Sequence, residues 1–139
     1  MQVGAIKNGI VIDHIDAGRA MQIYEMLSLD KLDCSVAILK NVPSNKMGKK
    51  DIIKIDCDMD IDLDVLGFIS PHITVDFVRD GKVAEKRHIE LPGRLTDIIR
   101  CKNPRCITST EQGIHHIFRL TTGGVYRCLY CDTKAESGK

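Results

Sequence analysis

No stretch of the 139 residues approaches the roughly 18 consecutive apolar side chains needed to span a bilayer, so the sequence offers no transmembrane helix. Aromatic residues are scarce, with three Phe, three Tyr and no Trp. An excess of one charge is missing too. Twenty Lys/Arg stand against 19 Asp/Glu, and the net +1 is far from the dense basic stripe of a nucleic-acid binder. That balance is uneven: residues 1–100 carry 14 basic and 16 acidic side chains, residues 101–139 carry 6 and 3. The opening MQVGAIKNGIVIDH lacks the charged-then-apolar design of a leader, so a cytoplasmic location is expected. There thiols stay reduced, which weakens a disulfide reading of the six cysteines. What remains, 43% hydrophobic and 28% charged, suits a soluble globule of one domain, or about 100 residues plus a small appendage.

Four cysteines fall together near the C-terminus, as CKNPRC (Cys101 and Cys106) and CLYC (Cys128 and Cys131). Two close thiolate pairs that reach one cation are what a tetrahedral four-thiolate zinc site requires. Between them, GIHHIFRL, the turn TTGG and VYRC read as a hairpin that returns the second pair beside the first. About 40 residues bury too little apolar surface to fold alone, and zinc, worth on the order of 10 kcal/mol, supplies the deficit. Four thiolates leave no open coordination position, so the zinc is read as structural. His115-His116 is expected on a strand, one ring in and one out. A redox Cys-x-x-Cys fits less well, because its active thiolate sits at a helix N-terminus, whereas Cys128 ends a strand-like run. Cys34 and Cys57, in KLDCSVAIL and IIKIDCDM, read as buried free thiols.

The first hundred residues alternate between strand and helix patterns. Ala5–Ile15 opens as a strand, with Asn8-Gly9 as a turn or bulge signal. Residues 17–28 place Ala17, Ala20, Met21, Tyr24 and Leu27 at helical spacing, with Asp16 as N-cap. SVAILKNV is a strand, PSNKMGKK a loop, DIIKIDC an alternating strand, DIDLDVLGFI a short helix. HITVDFV then turns at Arg79-Asp80-Gly81-Lys82 into KVAEKRHI. The order β-α-β-β-α-β, extended by a fifth strand, implies an antiparallel sheet with both helices on one face. The alternating acids Asp56 to Asp64 are not an EF-hand, because Ile61 and Gly67 stand where Gly and Glu are needed. They read as a solvated strand end and an acidic helix start. MGKK lacks the remainder of a phosphate-loop pattern.

Lys50, Lys54 and Lys86 fall on or beside strands, and Lys54 projects from the face opposite its strand's core side. Ammonium groups gathered on a sheet repel one another unless an anion joins them, and a polyphosphate would. Asp13-His14 could add a hydroxyl-binding carboxylate and a switchable imidazole. Residue pattern alone does not choose between such a site and solvated lysines.

Three motifs now carry a resemblance. VGAIKNGIVIDHI (3–15), NVPSNKMGKKDIIKI (41–55) and CKNPRCIT (101–108), with Cys128-Leu129-Tyr130-Cys131, resemble the regulatory chain of aspartate carbamoyltransferase essentially end to end. The resemblance implies an α+β chain: a ferredoxin-like βαββαβ allosteric domain (1–94) and a small all-β, zinc-ribbon-like domain (95–139). It implies a non-catalytic subunit of pyrimidine biosynthesis that binds CTP, UTP and ATP and forms a regulatory homodimer. The holoenzyme implied has two catalytic trimers and three regulatory dimers, with neither nucleic acid nor membrane as partner. One structural Zn²⁺ per chain would be held by Cys101, Cys106, Cys128 and Cys131, in the domain that grips the catalytic chain. The effector site would use Asp13, His14, Lys50, Lys54 and Lys86. Val3, Ala5, Ile6 and Val11 would contact base and ribose, and Val78 and Val83 would form walls. Asp76 replaces a usual Asn and Gly81 a usual Tyr, changes that oppose phosphate and loosen base discrimination respectively.

Two other classes fare worse. A nucleic-acid-binding zinc ribbon would rely on Arg105, Arg119 and Arg127, with only Phe118, Tyr126 and Tyr130 for stacking. An enzyme in its own right lacks a nucleophile–base set.

Overall fold

The computed structural model describes residues 6–135, which separate into two compact units between Glu90 and Leu91. In the first unit, β1 (Gly9–Asp16), α1 (Ala20–Met26), β2 (Val36–Ser44), β3 (Gly48–Ile55), α2 (Leu63–Ile69), β4 (Thr74–Arg79) and β5 (Lys82–His88) follow in order. The strands form one antiparallel sheet ordered β2-β3-β1-β4-β5. This is the ferredoxin-like arrangement, widened by β5.

Strict alternation of side chains assigns the faces. Ile10 pairs with Ile55 and Phe77, and Ile12 with Ile53 and Val75, so these six share a face. Ile10, Ile12, Ile53, Ile55 and Val75 are fully buried, as are Ala20 and Ile23 of α1 and Leu66 of α2. Each buried Ile contributes about 1.5–3 kcal/mol of hydrophobic stabilisation. α1 packs on α2 and β3.

Helix α1 begins at Ala20 rather than residue 17, and Arg19, not Asp16, is its N-cap. β1 continues through Asp16, whose carboxylate accepts from the Ser70 hydroxyl (3.0 Å), and Gly18 turns the chain with φ +93°. The capping acceptor comes from elsewhere: buried Asp51 of β3 accepts from Gly18 N–H and Ala20 N–H. PSNKMGKK is also more ordered than a loop. β2 and β3 run into it and leave only Asn45, Lys46 and Met47 as the hairpin turn, with Pro43 on an edge strand, where a missing N–H is tolerated. Asn8-Gly9 makes no hairpin turn; Asn8 Oδ1 accepts from Asp80 N–H. α2 starts where its acids predict, with the Asp62 carboxylate accepting from Asp64 N–H at 3.0 Å.

The second unit contains β6 (Arg94–Thr96), α3 (Ile107–Thr110), β7 (Ile117–Thr121) and β8 (Val125–Cys128). The three strands form an antiparallel sheet ordered β6-β7-β8. Leu95, Phe118 and Cys128 stand in register across it, and all three are buried. Two details differ from expectation. The one-turn α3 makes this unit not purely β, and Arg94, placed by sequence at the end of the first domain, opens β6 opposite Arg119.

Candidate metal centre and anion-binding face

Register brings the cysteines together. Cys128 ends β8 beside Phe118, and the turn after it, closed by Asp132 N–H to Cys128 O (2.9 Å), carries Cys131 back. Cys106 follows a turn in which its N–H donates to Asn103 O (3.1 Å). The four sulfurs lie within 4.8 Å of one another, with Cys101–Cys131 at 3.5 Å and Cys106–Cys128 at 3.7 Å. A tetrahedron with metal–sulfur bonds of about 2.3 Å has edges of about 3.8 Å, so the cluster fits a single zinc-sized cation.

The surrounding groups suit thiolates. Backbone N–H groups of Asn103, Tyr130, Cys131 and Thr133 point at the sulfurs of Cys101, Cys128, Cys128 and Cys131 in turn. The Thr108 hydroxyl donates to Cys106 Sγ at 3.1 Å. Without a cation these thiols are mismatched. Burial pushes Cys101 up to about 12, and burial likewise raises Cys128. At Cys131 burial is outweighed by hydrogen bonds with Thr133, Asn103 and Cys101, bringing it to about 6. A divalent cation resolves the mismatch by stabilising all four as thiolates.

His115 and His116 precede β7 instead of lying on it. Asp97, at φ +57°, bonds His115 Nδ1 (2.6 Å) and accepts from His116 N–H (2.9 Å), while His116 Nδ1 accepts from Cys101 N–H (3.2 Å). Both rings thus orient the loop, and neither replaces a ligand. Phe118 and Tyr126 are buried, with the Tyr126 hydroxyl donating to Pro92 O (2.6 Å), so neither is available to stack on a base. Arg119 and Arg127 both engage Asp132.

In the first unit, the sheet face opposite the core collects most of the charged residues singled out by sequence. One register row runs Ala37, Lys54, Val11, Asp76, Lys86 across β2, β3, β1, β4 and β5. Toward one end, Val78 pairs with Val83, near the Gly81 turn, whose N–H donates to Lys7 O. Toward the other, Asp13 pairs with Thr74 and Thr74 with His88. Lys50 Nζ lies 2.9 Å from Asp13 Oδ1, and His14 Nδ1 is 2.9 Å from Thr74 Oγ1. Burial raises the Asp13 carboxyl, but Lys50 and the His14 N–H outweigh it and hold the group below its usual value. Among the described residues neither Lys54 nor Lys86 has an ion-pair partner. Asp76 Oδ1 is buried without a hydrogen-bond partner. Val3 and Ala5 lie outside the described residues; Ile6 stands three residues before β1, beside Lys7.

An open cleft of about 850 Å³ adjoins this face. His14 and Lys86 line it, but Asp13, Lys50, Lys54 and Val11 do not. Sequence reasoning missed Lys46, Lys49, His72 and His88, which line it as well. Asp16 is the only acid among the lining residues, against three lysines and three histidines.

Comparison with known proteins now bears on both sites. Residues 1–90 match the family pattern described as aspartate carbamoyltransferase regulatory chain, allosteric domain, and residues 93–138 match its metal binding domain. The chain belongs to the aspartate carbamoyltransferase regulatory chain family. It is 50% identical over 140 residues to that regulatory chain from Clostridium botulinum (strain Hall), covering 99% of this chain and 96% of the relative. The Bifidobacterium longum regulatory chain is 46% identical over 138 residues, covering 98% and 99%. That of Clostridium tetani is 50% identical over 135 residues, covering 95% and 94%. As a member of this family the chain is an allosteric, non-catalytic subunit of pyrimidine biosynthesis, and its four-cysteine cluster lies in the family's metal-binding domain. No helix among the described residues is long and apolar enough to cross a membrane.

Proposed function

We propose that the first domain binds nucleotide effectors, CTP, UTP and ATP, and that the second holds one structural Zn²⁺ and contacts the catalytic chain. The division of labour falls between Glu90 and Leu91. The effector site consists of Asp13, His14, Lys50, Lys54 and Lys86, with Val3, Ala5, Ile6 and Val11 contacting base and ribose and Val78 and Val83 as walls. The working assembly is cytoplasmic, with two catalytic trimers joined by three regulatory homodimers.

The observation that carries this reading is the single sheet face on which Lys54 and Lys86 stand unpaired between an apolar end at Val78–Val83 and a polar end at Asp13. A nucleoside triphosphate has that same polarity, apolar base at one end and polyanion at the other. Zinc is favoured over harder divalent cations because all four donors are sulfur. A nucleotide bound at this face can bias the catalytic chain only by as much as its affinity differs between the two catalytic states, typically about 1–3 kcal/mol.

Calorimetric titration of the zinc-loaded full chain with CTP tests the site. Lys86→Ala is expected to weaken CTP by about tenfold or more, the worth of one charge-assisted contact, with one zinc per chain retained. Unchanged CTP affinity would remove Lys86 from the site.

A further inference from the structure

Cys34 and Cys57, read from sequence as buried free thiols, are free but not buried. Both are half-exposed, and each stands two residues beyond the Val36–Ile55 pair at the open end of β2 and β3. Val36 pairs with Ile55, and Asp56 N–H donates to Ser35 O at 2.9 Å. That bond makes Val36–Ile55 a narrow, non-hydrogen-bonded pair and Ser35–Asp56 a wide one. The regular ladder ends there, and Cys34 and Cys57 are the next residues outward, one on each segment. Directly opposed residues of an antiparallel pair have Cα atoms about 4.5–5.5 Å apart, inside the roughly 4.4–6.8 Å that a disulfide spans. A hydrogen bond with Cys34, then burial and the charges of Cys34, Asp56 and Asp58, push the Cys57 thiol up to about 11.

We infer that Cys34 and Cys57 are a reversible modification site, closing to an intramolecular disulfide when an external small disulfide oxidises them. The Cys34 thiolate attacks one sulfur of the external disulfide, forming a mixed disulfide and releasing one thiolate, which takes up the proton Cys34 gave to solvent. Cys57, whose thiol is pushed up, acts second. Once deprotonated, its sulfur attacks Cys34 Sγ, and the second external thiolate leaves and is protonated. One external disulfide is reduced to two thiols, and two cysteine thiols are oxidised to one disulfide. In a reducing cytoplasm the dithiol is the resting form, so closure reports an oxidative shift. Exposed Asp33 and Asp56 flank the pair and disfavour an anionic oxidant, while Asp58 beside them is ion-paired with Arg79 at 3.2 Å, so an uncharged disulfide is the fitting one. The site is separate from the metal centre, whose cysteines all lie in the second unit.

The test uses the zinc-loaded full chain, 2-hydroxyethyl disulfide as oxidant, alkylation of remaining thiols and tryptic digestion without reduction. The expected product joins peptide 32–40 to peptide 55–79, with two thiols lost per chain, zinc retained, and full reversal by a phosphine reductant. Cys57→Ser is expected to stop at a hydroxyethanethiol adduct on Cys34. Cys34→Ser is expected to slow modification of Cys57 at least tenfold. Separate adducts on both cysteines of the wild-type chain would overturn the inference. So would zinc release with Cys34 and Cys57 still free, because the metal-site thiols would then be the reactive ones.

Discussion

Asp51 is fully enclosed, yet its carboxylate is satisfied by three backbone donors from two segments: Gly18 N–H and Ala20 N–H on one oxygen, Asn41 N–H on the other. It ties the start of α1 and the bulge of β2 to β3. Asp51→Ala leaves three donors unmet and is expected to cost about 3–5 kcal/mol in chemical denaturation. Loss of less than about 1 kcal/mol would mean that water replaces the carboxylate. Lys50 plays a smaller part. Its ammonium, 2.9 Å from the half-buried Asp13, helps hold that carboxyl below its ordinary value of 3.8. Because the folded value is depressed, the stabilisation is fully present above the unfolded value and disappears as pH falls through the folded one. Lys50→Ala is expected to cost about 1–3 kcal/mol at neutral pH, and the penalty should shrink in acid below the Asp13 titration. A penalty independent of pH would show that Lys50 acts by packing alone.

At the scale of elements, Gly9 shows what alternation cannot reveal. A Cβ there would fall 2.1 Å from Ile55 O and 2.9 Å from Ile6 Cγ2, so β1 and β3 can pair closely only without a side chain. Gly9→Ala is expected to destabilise the first unit by about 1–3 kcal/mol and to weaken hydrogen-exchange protection at Ile53 and Ile55. Unchanged protection would contradict the close approach. Ile53 and Ile55 were legible as one face, because period-two burial is written directly in DIIKIDC. The α1 start was not, since its capping acceptor is Asp51, some thirty positions away and invisible to local spacing. Nor were the bulges, where register shifts at Ile12/Ile15 and Leu39/Val42 accompany positive φ at His14 and Asn41. His and Asn carry no such signal as clear as glycine's. The four cysteines could be read from spacing alone. Lys46, Lys49, His72 and His88 could not, because the β2–β3 turn, the start of β3, the approach to β4 and the end of β5 converge only in three dimensions.

On the scale of the whole molecule, the second unit leans on its metal. Its apolar core is little more than Leu95, Phe118 and Tyr126 with the buried cysteines. Chelation is expected to unfold residues 91–135, a loss on the order of 10 kcal/mol of metal-linked folding energy, while the five-stranded sheet keeps its hydrogen-exchange protection. A second unit that stays protected after metal removal would show that packing alone suffices. The proposed function gives nucleotides control over a catalytic partner. It is tested most directly by assaying aspartate carbamoyltransferase activity of the same organism's catalytic chain, with and without the zinc-loaded protein, across CTP and ATP concentrations. Activity is expected to become nucleotide-sensitive only when the protein is present, and Lys86→Ala is expected to blunt the response. A complex that forms yet ignores every nucleotide would contradict it.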